Sequence, residues 1–206
     1  MWWQDHLSEF VTLFLVINPF GLLPVFMALT ASFDWRERRI TALTAVLVAL
    51  ALLVFFVIAG NFLLRRIGIA IRAFQIAGGI VLFLVALDMI HGRIGASADA
   101  KQESHQVLAV YPLAFPLMAG PGAFITVILL TDDDRYNLLG QLATISVVAI
   151  VLAIQFFILL AATPISRAIG SAGVNVVGRI MGMLLAAMAV SIVLTAIGQW
   201  LDLPTL

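Results

Sequence analysis

The chain has no cysteine and very little charge. Without cysteine it can form no disulfide, zinc–thiolate centre or thiol nucleophile. Asp, Glu, Lys and Arg together make up 11% of its 206 residues, where a soluble domain carries about 25%. Hydrophobic residues make up 63% and the mean hydropathy is +1.15. A surface with so few charges is poorly suited to water, and lipid is the solvent that fits it. The eleven basic and eleven acidic residues balance and are scattered. No basic patch marks a nucleic-acid partner and no polybasic run marks a lipid-headgroup anchor. Enzyme signatures are also missing. There is no His-Glu-x-x-His, no phosphate-cradling glycine loop ending in Lys and no Gly-x-Ser-x-Gly. No catalytic residue, cofactor or resident metal is therefore expected, and the partners left are the bilayer and a small molecule, with self-association open.

What the chain does have is long uncharged stretches. A membrane-crossing helix needs roughly 20 apolar residues. Five uncharged gaps reach that length: Glu9 to Asp34, Arg39 to Arg65, His105 to Asp132, Arg135 to Arg167, and Arg179 to Asp202. A sixth stretch, Ala70 to His91, carries Arg72 near one end and Asp88 near the other, and Arg72 can snorkel to the interface. The expected architecture is an all-α membrane protein of six transmembrane helices. The start, Met1-Trp2-Trp3-Gln4-Asp5-His6, lacks the basic region of a secretory leader, so the first stretch is read as a retained helix. Trp2, Trp3 and Trp200 are placed as interfacial anchors. Seven Lys and Arg fall in the loops after helices one, three and five, and four fall on the opposite side, which predicts periplasmic termini.

The chain also repeats itself. Phe55-Phe56 recurs as Phe156-Phe157 and Arg66 as Arg167, both 101 positions on. Asn18-Pro19 matches Gly120-Pro121 at an offset of 102, and Gly79 matches Gly182 at 103. The sequence predicts a first three-helix repeat over 1–91, a linking loop over 92–106 and a second repeat over 107–206. Because three is odd, the second half enters from the opposite side, and the halves are inverted repeats of the kind found in secondary transporters.

Five of the seven prolines lie in helices one and four: Pro19, Pro24, Pro112, Pro116 and Pro121. Proline inside a helix removes a donor and frees a carbonyl, and in hydrocarbon such groups must find partners. Asn18-Pro19 and Gly120-Pro121 each read as a new helix start, a cap followed by proline. The amides of Phe20, Gly21, Gly122 and Ala123 are expected to be free, and Pro24 frees the Phe20 carbonyl. A helix start attracts anions, so a carboxylate on these amides and an ammonium on a freed carbonyl would suit a small zwitterion. Many transmembrane prolines only kink a helix for packing, but paired interruptions at corresponding places in two halves point to a transport site. The predicted substrate-binding residues are Asn18, Pro19, Phe20, Gly21, Gly120, Pro121, Gly122 and Thr126. Asp88, the acid inside a predicted span, is the candidate for ion or proton coupling. Asp88 and His91 are three apart, but without a second such pair they do not make a metal site. Gln75, Thr131 and Gln155 read as hydrogen bonds between helices, Gly178, Gly182 and Ala186 as a close-packing ladder, and Asp132-Asp133-Asp134 as a solvated turn.

Asn18-Pro19-Phe20-Gly21-Leu22-Leu23-Pro24, Phe74-Gln75-Ile76-Ala77-Gly78-Gly79 with Ala86-Leu87-Asp88-Met89-Ile90, Pro116-Leu117-Met118-Ala119-Gly120-Pro121-Gly122, and Arg179-Ile180-Met181-Gly182 resemble the MarC family of bacterial inner-membrane proteins. The resemblance covers essentially the whole chain. It implies six helices in a bacterial inner membrane and a grouping with small neutral amino acid transporters, more distantly with exporters of the LysE type. The expected function is secondary transport of a glycine- or alanine-like amino acid. The rival is a non-transporting scaffold or assembly protein whose breaks serve packing.

Overall fold

In the computed structural model, residues 2–91, 105–131 and 138–201 are described. The linking loop over 92–106, apart from its last two residues, and the Asp132-Asp133-Asp134 turn lie outside them, as do the side chains of Trp2 and Trp3. The described chain is helical throughout, in the order α1 (Trp2–Ile17), α2 (Pro19–Leu29), α3 (Trp35–Ile67), α4 (Ile71–Ile90), α5 (His105–Met118), α6 (Pro121–Leu130), α7 (Leu138–Leu160) and α8 (Ala162–Trp200). Five segments are each long and apolar enough to cross a bilayer: His6–Leu29, Trp35–Leu64, Ile71–Ile90, Leu138–Ile165 and Asn175–Trp200. A sixth crossing is made if α5 and α6, bent by 56° at their junction, count as one span. The chain is a multi-pass integral membrane protein. Large apolar side chains face outward, such as Ile58 and Phe62 on α3 and Leu84 on α4, as lipid contact requires.

Helix ends follow local chemistry. Asp34 opens α3 with a capping box: its carboxylate accepts from the Glu37 amide at 2.7 Å, and the Glu37 carboxylate accepts from the Asp34 amide at 2.8 Å. Gly68 closes α3 in the left-handed region at φ 73. Arg38 Nε donates to the Thr30 carbonyl at 3.0 Å, closing the end of α2. At the end of α4, the His91 ring Nδ1 donates to the Leu87 carbonyl at 2.7 Å. Gly170, at φ 67, interrupts α8 ahead of its membrane-length part.

The two halves interleave. α3 packs on α5, α6 and α7, and α7 packs on α1, α2 and α3. α4 runs along α8 and also touches α6, while α8 also touches α2. Glycines permit the closest approach of α4 and α8. A Cβ on Gly79 would come within 3.2 Å of the Ala189 carbonyl, and one on Gly182 within 3.1 Å of the Ala86 carbonyl. Rising numbers on one helix meet falling numbers on the other, so the pair is antiparallel. A second close approach lies between α4 and α6, where a Cβ on Gly78 would overlap the ring of Pro121. Phe56 of α3 stacks on Phe124 of α6 with centroids 4.1 Å apart, and this fixes α6 from the other side.

Candidate functional site

The first interruption sits at Asn18, which adopts the left-handed conformation with φ 49 and ψ 64. Asn is among the few L-residues that visit this region readily. Its amide still closes α1 by donating to the Phe14 carbonyl at 3.0 Å, and its carbonyl opens α2 by accepting from the Leu22 amide at 3.3 Å. Between these two bonds the ladder is open. Pro19 has no N–H to give to the Leu15 carbonyl. No carbonyl among the described residues accepts from Phe20 N–H, which leaves the Val16 carbonyl open. The Gly21 amide, expected to be free, instead donates to Asn18 Oδ1 at 3.2 Å, so Ile17 loses its partner too. α1 therefore ends in three carbonyls, those of Leu15, Val16 and Ile17, with no partner among the described residues. A helix C-terminus carries partial negative charge.

The second interruption is built differently. Tyr111 (φ −129) and Phe115 (φ −124) are extended, and each precedes a proline. Ala109–Met118 winds in wide π turns, and the Ala119 amide donates to the Ala114 carbonyl at 2.8 Å. Gly120 then opens α6 without a side-chain cap. Its carbonyl accepts from the Phe124 amide at 2.9 Å. The amides of Gly120, Gly122 and Ala123 meet no acceptor among the described residues. α6 therefore begins with three uncapped donors, and a helix N-terminus carries partial positive charge.

The two interruptions share one cavity of about 370 Å³, lined by both. From the first half come Leu15 to Asn18, Gly21, Leu22 and Val25, and from the second Pro116 to Met118 and Gly120 to Ala123. Leu82 of α4 and Leu185, Met188 and Ile192 of α8 complete the wall. The carbonyl end of α1 and the amide end of α6 lie close: a Cβ on Gly122 would touch Val16 Cγ1 at 3.5 Å.

Asn18, Gly21, Gly120, Pro121 and Gly122 are thus brought together, whereas Pro19, Phe20 and Thr126 stand outside the wall. Pro19 is buried and its carbonyl accepts from Gln155 Nε2 of α7 at 3.4 Å. The Phe20 ring is exposed and meets Phe14 edge-on. The Thr126 hydroxyl donates to the Gly122 carbonyl at 2.8 Å within α6. Asp88 is half-buried in the last turn of α4 and is not a cavity residue. Gln155 is fully buried, and its Oε1 has no hydrogen-bond partner among the described residues. The wall residues of α4 and α8 were not foreseen, since an aliphatic residue on a cavity wall looks in sequence like one facing lipid. The Gly78-Gly79 and Gly182 positions were the available signal, because close packing there brings α4 and α8 beside the breaks.

A bundle of five or six apolar spans, with helix starts at Pro19 and Pro121 beside one cavity, defines a class: polytopic integral membrane proteins. A family model described as MarC family integral membrane protein matches residues 3–201. The chain belongs to the MarC family. A UPF0056 membrane protein of Methanocaldococcus jannaschii is 36% identical over 198 residues, covering 94% of this chain and 96% of its own. The UPF0056 membrane protein YhcE of Escherichia coli is 36% identical over 198 residues, covering 93% and 91%. The UPF0056 inner membrane protein YhgN of Escherichia coli is 34% identical over 200 residues, covering 96% and 98%. No solved structure matches the chain.

Proposed function

We propose that the protein is a secondary transporter of small neutral amino acids, glycine- or alanine-like, across a bacterial inner membrane, built from two inverted three-helix repeats with periplasmic termini. One observation carries the reading: an uncapped helix start and an unpartnered helix end face one cavity between the halves. The carboxylate of an amino acid would accept from the amides of Gly120, Gly122 and Ala123. Its ammonium would donate to the carbonyls that end α1. A broken-helix pair supplying both signs from backbone alone is how many secondary transporters hold substrates. The duplication gains support from the α4–α8 contact. The 103-residue offset that relates Gly79 to Gly182 also relates Ala86 to Ala189, and each glycine rests on the other helix's alanine. Asp88, away from the cavity, is assigned a coupling role rather than a substrate contact.

Uptake of labelled glycine and alanine into proteoliposomes tests this. Gly122→Leu places a bulky side chain at the cavity without a backbone collision, since the nearest atom to its Cβ is a methyl at 3.5 Å. It should abolish uptake while folding and insertion persist. Asp88→Asn should leave substrate binding intact and uncouple uptake from the driving ion gradient. Wild-type protein that inserts, folds and takes up neither amino acid refutes transport of this class and leaves the packing role.

A further inference from the structure

Resting on the transport reading above, we infer that the cavity holds a second subsite, for an aliphatic side chain, so that its guests extend beyond glycine and alanine to neutral α-amino acids of leucine or methionine size, which bind more tightly. The polar frame occupies only one part of the wall. Leu22 and Val25 of α2, Leu82 of α4, and Leu185 and Ile192 of α8 present only carbon to the remainder. Leu22 and Leu82 are nearly buried and held by packing, while Leu185 and Ile192 are half-exposed. The space is also larger than the smallest amino acids need. At about 30 Å³ for each water-sized group, a cavity of about 370 Å³ takes roughly a dozen. Glycine would fill under half of it and leave the carbon wall facing water or void. Leucine or methionine would fill most of it with the zwitterion still on the backbone groups.

Each methylene buried against such a wall contributes about 0.8 kcal/mol, a factor of about four in affinity. Leucine has three more carbons than alanine. It should bind tens of times more tightly, before any cost of ordering its side chain.

Equilibrium binding of labelled leucine to the purified full-length protein, with unlabelled competitors, tests the inference. The expected order is leucine and methionine tighter than valine, valine tighter than alanine, and glycine weakest. 4-Methylpentanoate and isoamylamine, which each lack one charged group of leucine, should compete at least tenfold less well. Leu185→Phe, which narrows the apolar part, should weaken leucine and methionine while sparing alanine. Glycine or alanine competing as well as leucine overturns the side-chain subsite and leaves the amino acid reading standing. Binding of no amino acid at all overturns both. Equal competition by 4-methylpentanoate or isoamylamine shows an apolar hole without zwitterion recognition, and also overturns both.

Discussion

Asn18 offers the sharpest test of the first interruption, because alanine and glycine there act in opposite directions according to whether the helix is broken. In the structure Asn18 is left-handed at φ 49, and its Oδ1 caps α2 through the Gly21 amide at 3.2 Å. Alanine would lose the cap, about 1 kcal/mol, and would hold a Cβ in the left-handed region at a further cost of about 1–2 kcal/mol. Glycine would lose the cap but adopt that region freely, at a net cost of only a few tenths of a kcal/mol. The expected order of stability is wild type, then Asn18→Gly, then Asn18→Ala, with about 2–3 kcal/mol between first and last. In a continuous helix from Phe14 to Leu22 the order inverts. Alanine, the best helix former, would gain about 0.7 kcal/mol over asparagine, and glycine would become the worst of the three. Unfolding of the detergent-solubilised protein by titration with a denaturing detergent, followed by far-ultraviolet circular dichroism, reads the order directly. Asn18→Ala at or above wild type would refute the broken helix and the site built on it.

Other substitutions test neighbouring parts of the argument. A Cβ on Gly21 would collide with Asn18 Nδ2, so Gly21→Ala should destabilise wild type by about the value of the cap yet stabilise the Asn18→Gly protein, where only helix propensity remains; a double-mutant cycle measures that coupling. Gly78→Ala forces the Pro121 ring to move and should cost about 1–3 kcal/mol as overpacking does, measured in the same titration. Gly198→Ala, with open space around its Cβ, should instead add about 1 kcal/mol of helix propensity. Gln155 is fully buried with an Oε1 that has no partner among the described residues and one long bond to Pro19, so Gln155→Leu should add about 1 kcal/mol of stability, the desolvation cost removed, and raise the unfolding midpoint, and a lowered midpoint would count against this arrangement.

The sequence indicated the apolar spans, five or six in the structure, and the helix starts at Pro19 and Pro121, because both signals are local. Uncharged length marks a span, and Asn or Gly followed by Pro marks a helix start. Local chemistry, read further, also contained the correction at Gly21: an N-cap asparagine ordinarily accepts from the amide two or three residues on, so the Gly21 N–H should have been assigned to Asn18. The π turns of α5 were not legible. They accompany two prolines, Pro112 and Pro116, whose preceding residues are pushed out of the helical region, and proline spacing alone does not say how the ladder closes around them. The aliphatic wall from α4 and α8 was hidden for a different reason. Leu82 and Ile192 face a cavity while Leu84 and Leu194 face outward, and nothing in the composition of either helix separates them. That distinction comes from the glycine contacts that set the rotation of α4 against α6 and α8.

A chain this poor in charge has to make its polar site from main chain, and the two halves do so unequally. If the halves are duplicates, each contributes a helix end and a helix start, so an unmodified pair would offer the cavity two carbonyl ends and two amide starts. The asparagine removes that degeneracy. At the first break Asn18 folds its side chain back onto Gly21, so the start of α2 satisfies much of its own positive end. At the second break the corresponding Gly120 has no side chain to do this, and the start of α6 stays open. For the proposed substrate, the difference between one asparagine and one glycine would direct the carboxylate to α6 and the ammonium to the end of α1. Restoring equivalence should erase the preference. A cap at position 120 cannot be added simply, because a Cβ there would strike the Pro116 carbonyl. Freeing the other start is feasible: Asn18→Gly releases the Gly21 amide into the cavity. That variant should bind simple carboxylates lacking an ammonium more tightly than wild type, because two amide starts would then compete for the same anion. Unchanged carboxylate affinity would show that the capping of α2 does not set the polarity of the site.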